Sequence, residues 1–173
     1  DKVQKWLPAF TMYDPWVGKE VMLRDLLCHR LGFETFQGDF MYFDSDLTAK
    51  EVMEKMGKLK PKYGFRSKWG YTNSAFAVAG AVIQKASGSS WDQYLTEKIF
   101  RPLGMDRTLA LSAGINQATN KAAAHTVVMG ELQKIPYGNI DNMAPAGSIA
   151  SSANDMSKWV TALLANGKWD GKQ

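Results

Sequence analysis

The sequence has little of several features that would assign a protein to a class at once. Its 173 residues include a single cysteine, Cys28, which excludes an internal disulfide bond and leaves the redox compartment open. No apolar run approaches the roughly 20 residues that span a bilayer, and the opening stretch DKVQK is not a signal peptide. Lys and Arg number 21 against 17 Asp and Glu, so the net charge is only +4, and no basic block indicates nucleic-acid binding.

Motifs for metals and nucleotides are missing too. The two histidines, His29 and His125, lie far apart, and neither has a second His or Cys at a ligand spacing. The sequence has no glycine-rich phosphate-binding pattern and no Gly-x-Ser-x-Gly nucleophile turn. We therefore expect no metal and no cofactor.

What the sequence does contain is an unusual number of aromatic residues and clear helix signals. Six Trp, six Tyr and eight Phe stand in a chain that is 45% apolar overall, as in a globular domain with a substantial core. Three capping boxes predict helix starts at Thr48, Ser90 and Ser152. The segment from Ser74 to Lys85 is apolar on nearly every side, which predicts a buried central helix, and its Gly80 indicates close approach by another backbone.

The helix that follows Ser152 has the most regular apolar face. Five apolar residues recur at helical spacing, and Gly167 stands where a C-terminal cap belongs. The five are Met156, Trp159, Val160, Leu163 and Leu164.

Evidence for strands is thin. Residues 126–129 and 132–135 could form one hairpin around Gly130 and Glu131, and no βαβ alternation occurs. The long segments 33–47, 60–73 and 105–150 are rich in Gly, Asn, Ser and aromatic residues. We therefore predict a mainly α fold with long loops and at most this small β-hairpin.

A polar and aromatic turn, Trp69 to Ser74, leads directly into the predicted central helix. Tyr71 and Asn73 stand two positions apart there and could face one cleft. A phenol serves as a general base only where nearby cations lower its pKa from about 10. In the alternative interpretation Asn73 caps the helix and Tyr71 packs beside it.

Several segments together resemble the serine β-lactamase family, which takes in class C β-lactamases, DD-peptidases and related esterases. Tyr71-Thr72-Asn73 looks like the family's Tyr-x-Asn motif, which also heads a buried helix there. The other similar segments occur in the family's order. They are Trp6–Phe10 ("YLPEF"), Leu26–Phe33 (Leu-Leu-x-His-x-x-Gly-Leu), Ile99–Thr108 ("PLGM…T") and Pro145–Met156 ("PAGG…S…DM").

The resemblance implies roles for individual residues. Tyr71 would act as general base for a serine nucleophile and then as general acid for the leaving group, together with a lysine. Asn73 would bind an amide carbonyl of the substrate. His29, Pro145 and Gly147 resemble structural landmarks of the family.

Two motifs of that family do not occur in this sequence. No Ser-x-x-Lys and no Lys-Thr-Gly or His-x-Gly is present, and the resemblance places them before Asp1 and after Gln173. We therefore expect residues 1–173 to form a single helical subdomain, the middle portion of a larger domain whose main antiparallel sheet is missing here. Without the nucleophile such a fragment is expected to be inactive alone. The family also implies an exported protein, in the periplasm or cell envelope.

Two functions remain open at this stage. The favoured one is a fragment of a serine hydrolase that acts on a β-lactam, a D-Ala peptide or a small ester. The alternative is a non-catalytic helical module that binds a peptide or sugar through an aromatic cleft near Tyr71. If the chain is a lobe that normally packs against the missing sheet, we expect an exposed apolar face through which two copies of the chain could form a homodimer.

Overall fold

The computed structural model describes residues 1–171, and within that range it contains seven α-helices and one pair of strands. The helices are α1 (Pro15–Glu20), α2 (Leu23–Leu27), α3 (Ala49–Lys58), α4 (Ser74–Ser87), α5 (Trp91–Leu95), α6 (Ala144–Gly147) and α7 (Ala153–Leu164). The strands are β1 (His125–Val128) and β2 (Glu131–Lys134). Shorter helical turns are the 3-10 segments Val3–Lys5, Asp39–Met41, Ser112–Gln117 and Asp141–Met143 and the π-helical turn Thr96–Phe100.

The prediction of a mainly α fold is wrong. Helices of all types account for 44% of the residues, so more than half of the chain lies in turns, loops and the small two-stranded antiparallel sheet. The physical reason lies in the long segments such as 105–150, where Gly, Asn and Pro interrupt any helical period and the backbone forms turns and 3-10 segments instead. Helices and irregular segments therefore share the structure about equally.

All three predicted helix starts are confirmed, and two of them have the predicted side-chain cap. Thr48 and Glu51 form a reciprocal capping box at the start of α3. The Ser152 side chain accepts a hydrogen bond from the Asp155 N–H at the start of α7. Helix α5 begins where predicted, at Trp91, but the Ser90 side chain makes no capping hydrogen bond.

Helix α4 is the central element, as its all-round apolar sequence predicts. It contacts α2, α3, α5 and α6, and its inner face is buried. A Cβ atom at Gly80 would collide with the ring of Pro145 in α6. The close approach predicted at Gly80 is therefore confirmed, although the neighbour is a proline ring rather than a backbone. Only glycine fits at this contact.

The hairpin is present one residue earlier than predicted. β1 and β2 pair antiparallel, with Val128 opposite Glu131. Met129 and Gly130 form the turn, and both have positive φ angles (50° and 86°). That combination is typical of the tight turns that match the twist of a hairpin. Both strands are largely exposed, so the hairpin projects from the body rather than contributing to its core.

Within the described residues, apolar side chains form three clusters of unequal size. The largest lies between the N-terminal segment and α4 and includes Val3, Phe10, Leu26, Phe33 and Val78. A second cluster surrounds Phe100, Leu103 and Ala162, and a third surrounds Tyr42, Val52 and Met143. None of the helices within residues 1–171 has the length and apolar character needed to cross a membrane.

Candidate active site

The turn that carries Tyr71 is held by backbone contacts on both sides. The Gly70 N–H donates to the His29 carbonyl at 3.0 Å, and the Phe36 N–H donates to the Tyr71 carbonyl at 2.8 Å. The Tyr71 N–H in turn donates to Thr35 Oγ1 at 3.3 Å. A side chain at Gly70 would overlap the Phe33 carbonyl, so this close backbone approach requires glycine. Residues 29–36 therefore support the turn along its length.

Asp39 caps the helix that follows the turn. Its carboxylate is fully buried and accepts hydrogen bonds from the Asn73 N–H (2.6 Å), the Ser74 N–H (3.2 Å) and the Ser74 hydroxyl (3.0 Å). A negative charge at this position also complements the positive end of the α4 dipole. The interpretation in which the Asn73 side chain caps the helix is wrong, because that side chain makes no capping hydrogen bond.

His29 lies directly against Tyr71. The two rings stack with their centroids 4.5 Å apart and their planes inclined by 27°. His29 Nδ1 accepts a hydrogen bond from the Thr72 N–H at 3.0 Å. Burial lowers the pKa of His29 below its ordinary value, and the nearby negative charge of Asp39 only partly opposes this effect. The environment of the ring therefore favours the neutral imidazole.

An aromatic row extends from Tyr71 across the surface. Phe36 packs edge-on against the Tyr71 ring with centroids 5.3 Å apart, Phe40 lies 5.3 Å from Phe36, and Phe43 lies 6.4 Å from Phe40. Trp69 lies on the other side of Tyr71, at 6.3 Å. These five residues, called the aromatic row below, are largely exposed except for the half-buried Tyr71. They form an apolar surface beside the phenol.

The chemistry available to Tyr71 depends on what faces its hydroxyl group. Among residues 1–171, no Lys or Arg side chain hydrogen-bonds to that hydroxyl or lies over the ring. A phenol needs such a cation to act as a base near neutral pH. The contacts of Tyr71 among the described residues are therefore those that orient its ring and backbone.

Pro145 and Gly147 belong to α6, which packs against α4. Pro145 packs against Gly80, which stands seven residues after Asn73, or about 10 Å along the helix at 1.5 Å per residue. A Cβ atom at Gly147 would lie 3.7 Å from the Ile140 side chain, so this position has room for one. The structure therefore brings His29 and Asp39 to the Tyr71 turn, whereas Pro145 contacts α4 farther along, at Gly80.

An ion pair that is buried at Asp25 and partly exposed at Arg66 fixes the loop that precedes the turn. The Arg66 guanidinium donates to both carboxylate oxygens of Asp25, at 3.0 and 2.8 Å. Burial alone would raise the pKa of Asp25, but the hydrogen bonds from Arg66 and from the Met22 N–H and the charges of Arg66 and Arg30 outweigh it, so the pKa is lowered. The ion pair fastens loop 62–68 to α2.

Sequence reasoning missed both Asp39 and the Asp25–Arg66 pair. Their partners lie 34 and 41 residues away along the chain, and no local pattern marks them. The only local signal near Asp39 is the preceding Gly38, whose φ angle of 82° permits the sharp turn into the 3-10 segment.

A large cleft lies away from Tyr71. It encloses about 720 Å³ between the loops 106–122 and 150–154. Its two cations already have partners, because Arg107 donates to the carbonyls of Thr119 and Asn120 and Lys121 donates to those of Ile115 and Asn116. Size alone therefore does not identify the site. Across residues 1–171, no cluster of three or more His, Cys, Asp or Glu side chains could hold a metal ion.

Comparison with known proteins places these features in a family. The family model described as Beta-lactamase matches residues 1–172. The unguisins hydrolase ungD' of Aspergillus campestris is 28% identical over 163 residues, which cover 90% of this chain and 30% of that protein. The putative penicillin-binding protein PbpX of Bacillus subtilis is 29% identical over 177 residues, covering 99% of this chain and 40% of that protein.

Solved structures show the same fold. A D-stereospecific amidohydrolase from Streptomyces sp. superimposes with a TM-score of 0.78 at 22% identity, covering 95% of this chain and 52% of the other. The chain thus spans between about a quarter and a half of the length of the first curated relatives it matches. The resemblance found in the sequence motifs is confirmed, and the chain belongs to the Beta-lactamase family of serine hydrolases.

Proposed function

We propose that this chain forms one wall of the active site of an acyl-serine hydrolase, with Tyr71 as the proton-transfer group and Asn73 as the clamp for a substrate amide. The observation that carries the proposal is that the start of α4 is capped by Asp39 and not by the side chain of Asn73. Asp39 caps the helix, so the side chain of Asn73 is not used for capping. A purely structural Asn73 would be expected to cap the helix itself.

Tyr71 performs two proton transfers in this mechanism. The Tyr71 phenolate oxygen takes the proton of a serine hydroxyl while the serine oxygen attacks the substrate carbonyl. Tyr71 then gives this proton to the departing amine or alcohol. Water then hydrolyses the acyl-enzyme. Stacking on His29 and the two hydrogen bonds of the Tyr71 backbone hold the phenol ready for this exchange.

The serine and its lysine belong outside these 173 residues in this proposal. None of the serines in the sequence is followed by a lysine three positions later, and the Tyr71 hydroxyl has no cationic partner among residues 1–171. The isolated chain is accordingly expected to be inactive, because the nucleophile, the lysine and the backbone donors for the oxyanion are not supplied by it.

The substrate is a β-lactam, a D-Ala peptide or a small ester. The aromatic row lies beside Tyr71 and favours substrates that carry an apolar group next to the reacting carbonyl. Each large aromatic side chain that closes over such a group removes apolar area from water, at about 25 cal/mol per Å². An exported location accompanies the proposal, because cell-wall peptides and β-lactams are encountered outside the cytoplasm.

The test uses the complete gene product that contains this chain. Tyr71→Phe removes the hydroxyl while leaving the ring stacked on His29, so kcat should fall by about 10²- to 10⁴-fold. Tyr13→Phe, at an exposed tyrosine in the N-terminal segment, is the matched control and should leave kcat unchanged. Wild-type kcat in the Tyr71→Phe enzyme would refute the role of Tyr71. Turnover of nitrocefin by the isolated chain, lost in Tyr71→Phe, would refute its inactivity.

A second candidate function is non-catalytic binding of a peptide or sugar. The exposed aromatic row favours it, since such surfaces bind sugars and apolar peptides by stacking. The two functions separate cleanly in one experiment. A binding module would keep its ligand unchanged and would lose affinity in Phe40→Ala, whereas Tyr71→Phe would have little effect on binding.

Self-association is the remaining part of the proposal. The outward face of α7 exposes Met156, Val160, Leu163 and Leu164, which form a continuous apolar stripe at helical spacing. We expect two copies of the isolated chain to pair through it. Sedimentation of the wild-type chain should show a dimer, and Leu164→Glu should shift it to the monomer. A wild-type monomer at all concentrations would contradict this proposal.

A further inference from the structure

The middle residue of the Tyr71–Asn73 turn depends on one side chain for its backbone hydrogen bond. Thr72 is buried, and its N–H donates to His29 Nδ1 at 3.0 Å. Its own hydroxyl is already engaged, since it donates to the Gly70 carbonyl at 2.8 Å. A buried N–H without an acceptor costs about 1–3 kcal/mol. His29 therefore supplies the contact that keeps Thr72, and with it the two flanking residues, in place.

This contact specifies the protonation state of the histidine. A ring nitrogen accepts a hydrogen bond only when it carries no proton, and a neutral imidazole carries its single proton on the other nitrogen. An Nδ1 that accepts from Thr72 thus requires the proton to be on Nε2. In an imidazolium Nδ1 would also carry a proton, so its N–H and the Thr72 N–H would be two hydrogen-bond donors facing each other.

The backbone of His29 is also adapted to this contact. Its φ angle is +56°, a left-handed conformation that costs most residues about 1–2 kcal/mol and that Asn, Asp and His adopt more often than others. In this conformation one residue reaches three successive positions. Its carbonyl accepts from Gly70, its ring stacks on Tyr71, and its Nδ1 accepts from Thr72.

We infer that His29 is the positioning residue of this site, and that it acts as the neutral Nε2–H tautomer by holding the Thr72 N–H and the face of the Tyr71 ring. Its significance for catalysis rests on the function proposed above, whereas the tautomer and the hold on the turn do not. Burial lowers the pKa of His29, in keeping with a neutral ring, and Asp39 is the charged group that opposes this. Trp69 and Phe76, which also contact the ring, carry no charge.

The tautomer is tested directly by nitrogen NMR on the intact 173-residue chain labelled at histidine. At pH 7.5 we expect His29 to show a protonated Nε2 and an unprotonated Nδ1 that is coupled across a hydrogen bond to the Thr72 N–H. The exposed His125 provides the reference resonances within the same sample. A His29 ring protonated on Nδ1, or on both nitrogens, would overturn the inference.

The hold on the turn is tested by hydrogen exchange of the Thr72 amide. His29→Gly keeps the left-handed backbone but removes the ring and the acceptor, so Thr72 exchange should accelerate at least tenfold. His29→Asn should restore part of the protection, because Asn tolerates the same φ angle and its Oδ1 occupies the same side-chain position as Nδ1. Unchanged protection of the buried Val52 in α3 shows that the fold is intact. Equal Thr72 exchange in wild type and His29→Gly would refute the hold.

The catalytic consequence is tested in the complete gene product. His29→Gly should lower kcat in the wild-type background but cause little further loss of kcat in the Tyr71→Phe background. The reason is that displacing the phenol and removing its hydroxyl both abolish the same proton transfer. Additive losses would show that His29 acts independently of Tyr71 and would overturn the positioning role. If Tyr71→Phe alone has no effect, the proposed function fails, while the NMR and exchange results still decide whether His29 holds the turn.

Discussion

Helices α4 and α7 are both rich in apolar residues, but the α4 sequence is apolar on nearly every side and the α7 sequence along one face, and the structure covers the two helices to different extents. Helix α4 is closed over by four other helices, and Val78 on its inner face is fully buried. Helix α7 buries only Asp155 and Ala162, and most of its regular apolar stripe is exposed, up to 82% for Leu164. An amphipathic pattern therefore identifies a face that is suited to burial, but it does not say whether these residues of the chain provide the cover.

Polar anchoring also differs between the two regions. The start of α4 is held by Asp39, whose carboxylate is wholly inside the protein and is shared by the Tyr71–Asn73 turn. Helix α7 is held by Asp155, which accepts from the Arg107 N–H at 2.8 Å and the Thr108 hydroxyl at 2.9 Å. Each carboxylate connects a helix to a loop distant in sequence, but only the first lies next to the candidate site.

The largest expected effect is at the anchor of α4. Asp39→Ala leaves two backbone N–H groups and the Ser74 hydroxyl without an acceptor in a buried place, so the free energy of unfolding should fall by about 3 kcal/mol. Urea denaturation measures the loss. Asp46→Ala, at an exposed carboxylate, is the matched control and should change stability by less than about 0.5 kcal/mol. Equal losses in the two variants would contradict the capping role.

The same Val→Ala substitution in α4 and in α7 compares how strongly the two helices are covered. Val78→Ala removes two methyl groups from a closed core and should cost about 2 kcal/mol. Val160→Ala removes the same atoms from a side chain that is 48% exposed, so the cost should be below about 0.5 kcal/mol. Both values come from the same denaturation assay. Similar costs at the two positions would mean that α7 is covered in solution, for instance by a second copy of the chain.

The smallest effect is the acid sensitivity of the Asp25–Arg66 pair, which is partly open to solvent at Arg66. The pKa of Asp25 in the folded chain lies below its ordinary value of 3.8, so the folded state favours the ionised carboxylate. Its contribution to stability is therefore complete above pH 3.8 and is lost as the pH falls through and below that value. Asp25→Asn should have a lower free energy of unfolding than wild type at pH 6, and this difference in stability should be smaller at pH 3.

The same comparison of stability at pH 6 and pH 3 applies to Asp155, the carboxylate that anchors α7. Asp155→Asn should show a similar narrowing, since the pKa of Asp155 is also lowered; burial opposes this shift, but the hydrogen bonds from Arg107, Thr108 and Lys158 outweigh it. Asp46→Asn should show no gap at either pH. A stability gap for Asp25→Asn that widens on acidification would contradict the assigned direction of the pKa shift.

Short sequence patterns correctly predicted the features that depend on contacts between residues close together in the chain. The capping box at Thr48 and the cap at Ser152 depend on groups three residues apart, so the sequence shows both partners at once. The hairpin was predicted from two short apolar runs around Gly130, and the only error was a shift of one residue in the turn. Gly80 was singled out as a point of close contact, and the Pro145 ring explains why no side chain fits there.

The candidate site was predictable only in part. Tyr71 and Asn73 could be named from their position before a buried helix and from the family resemblance. The groups that hold them could not be named, because His29 and Asp39 reach the turn across 43 and 34 residues of chain. The exact fold class was also missed, since helix signals are easy to read and the turns of segment 105–150 have no comparable pattern.

The sequence by itself determined the family, the helix starts and the hairpin, because each depends on the spacing of residues that are close together along the chain. Tertiary structure alone decided that Asp39 caps α4, that His29 accepts from Thr72 and stacks on Tyr71, and that α7 keeps its apolar stripe exposed. These outcomes depend on which distant segments meet. A buried donor takes whatever acceptor the fold brings within about 3 Å, and local sequence carries no record of that partner.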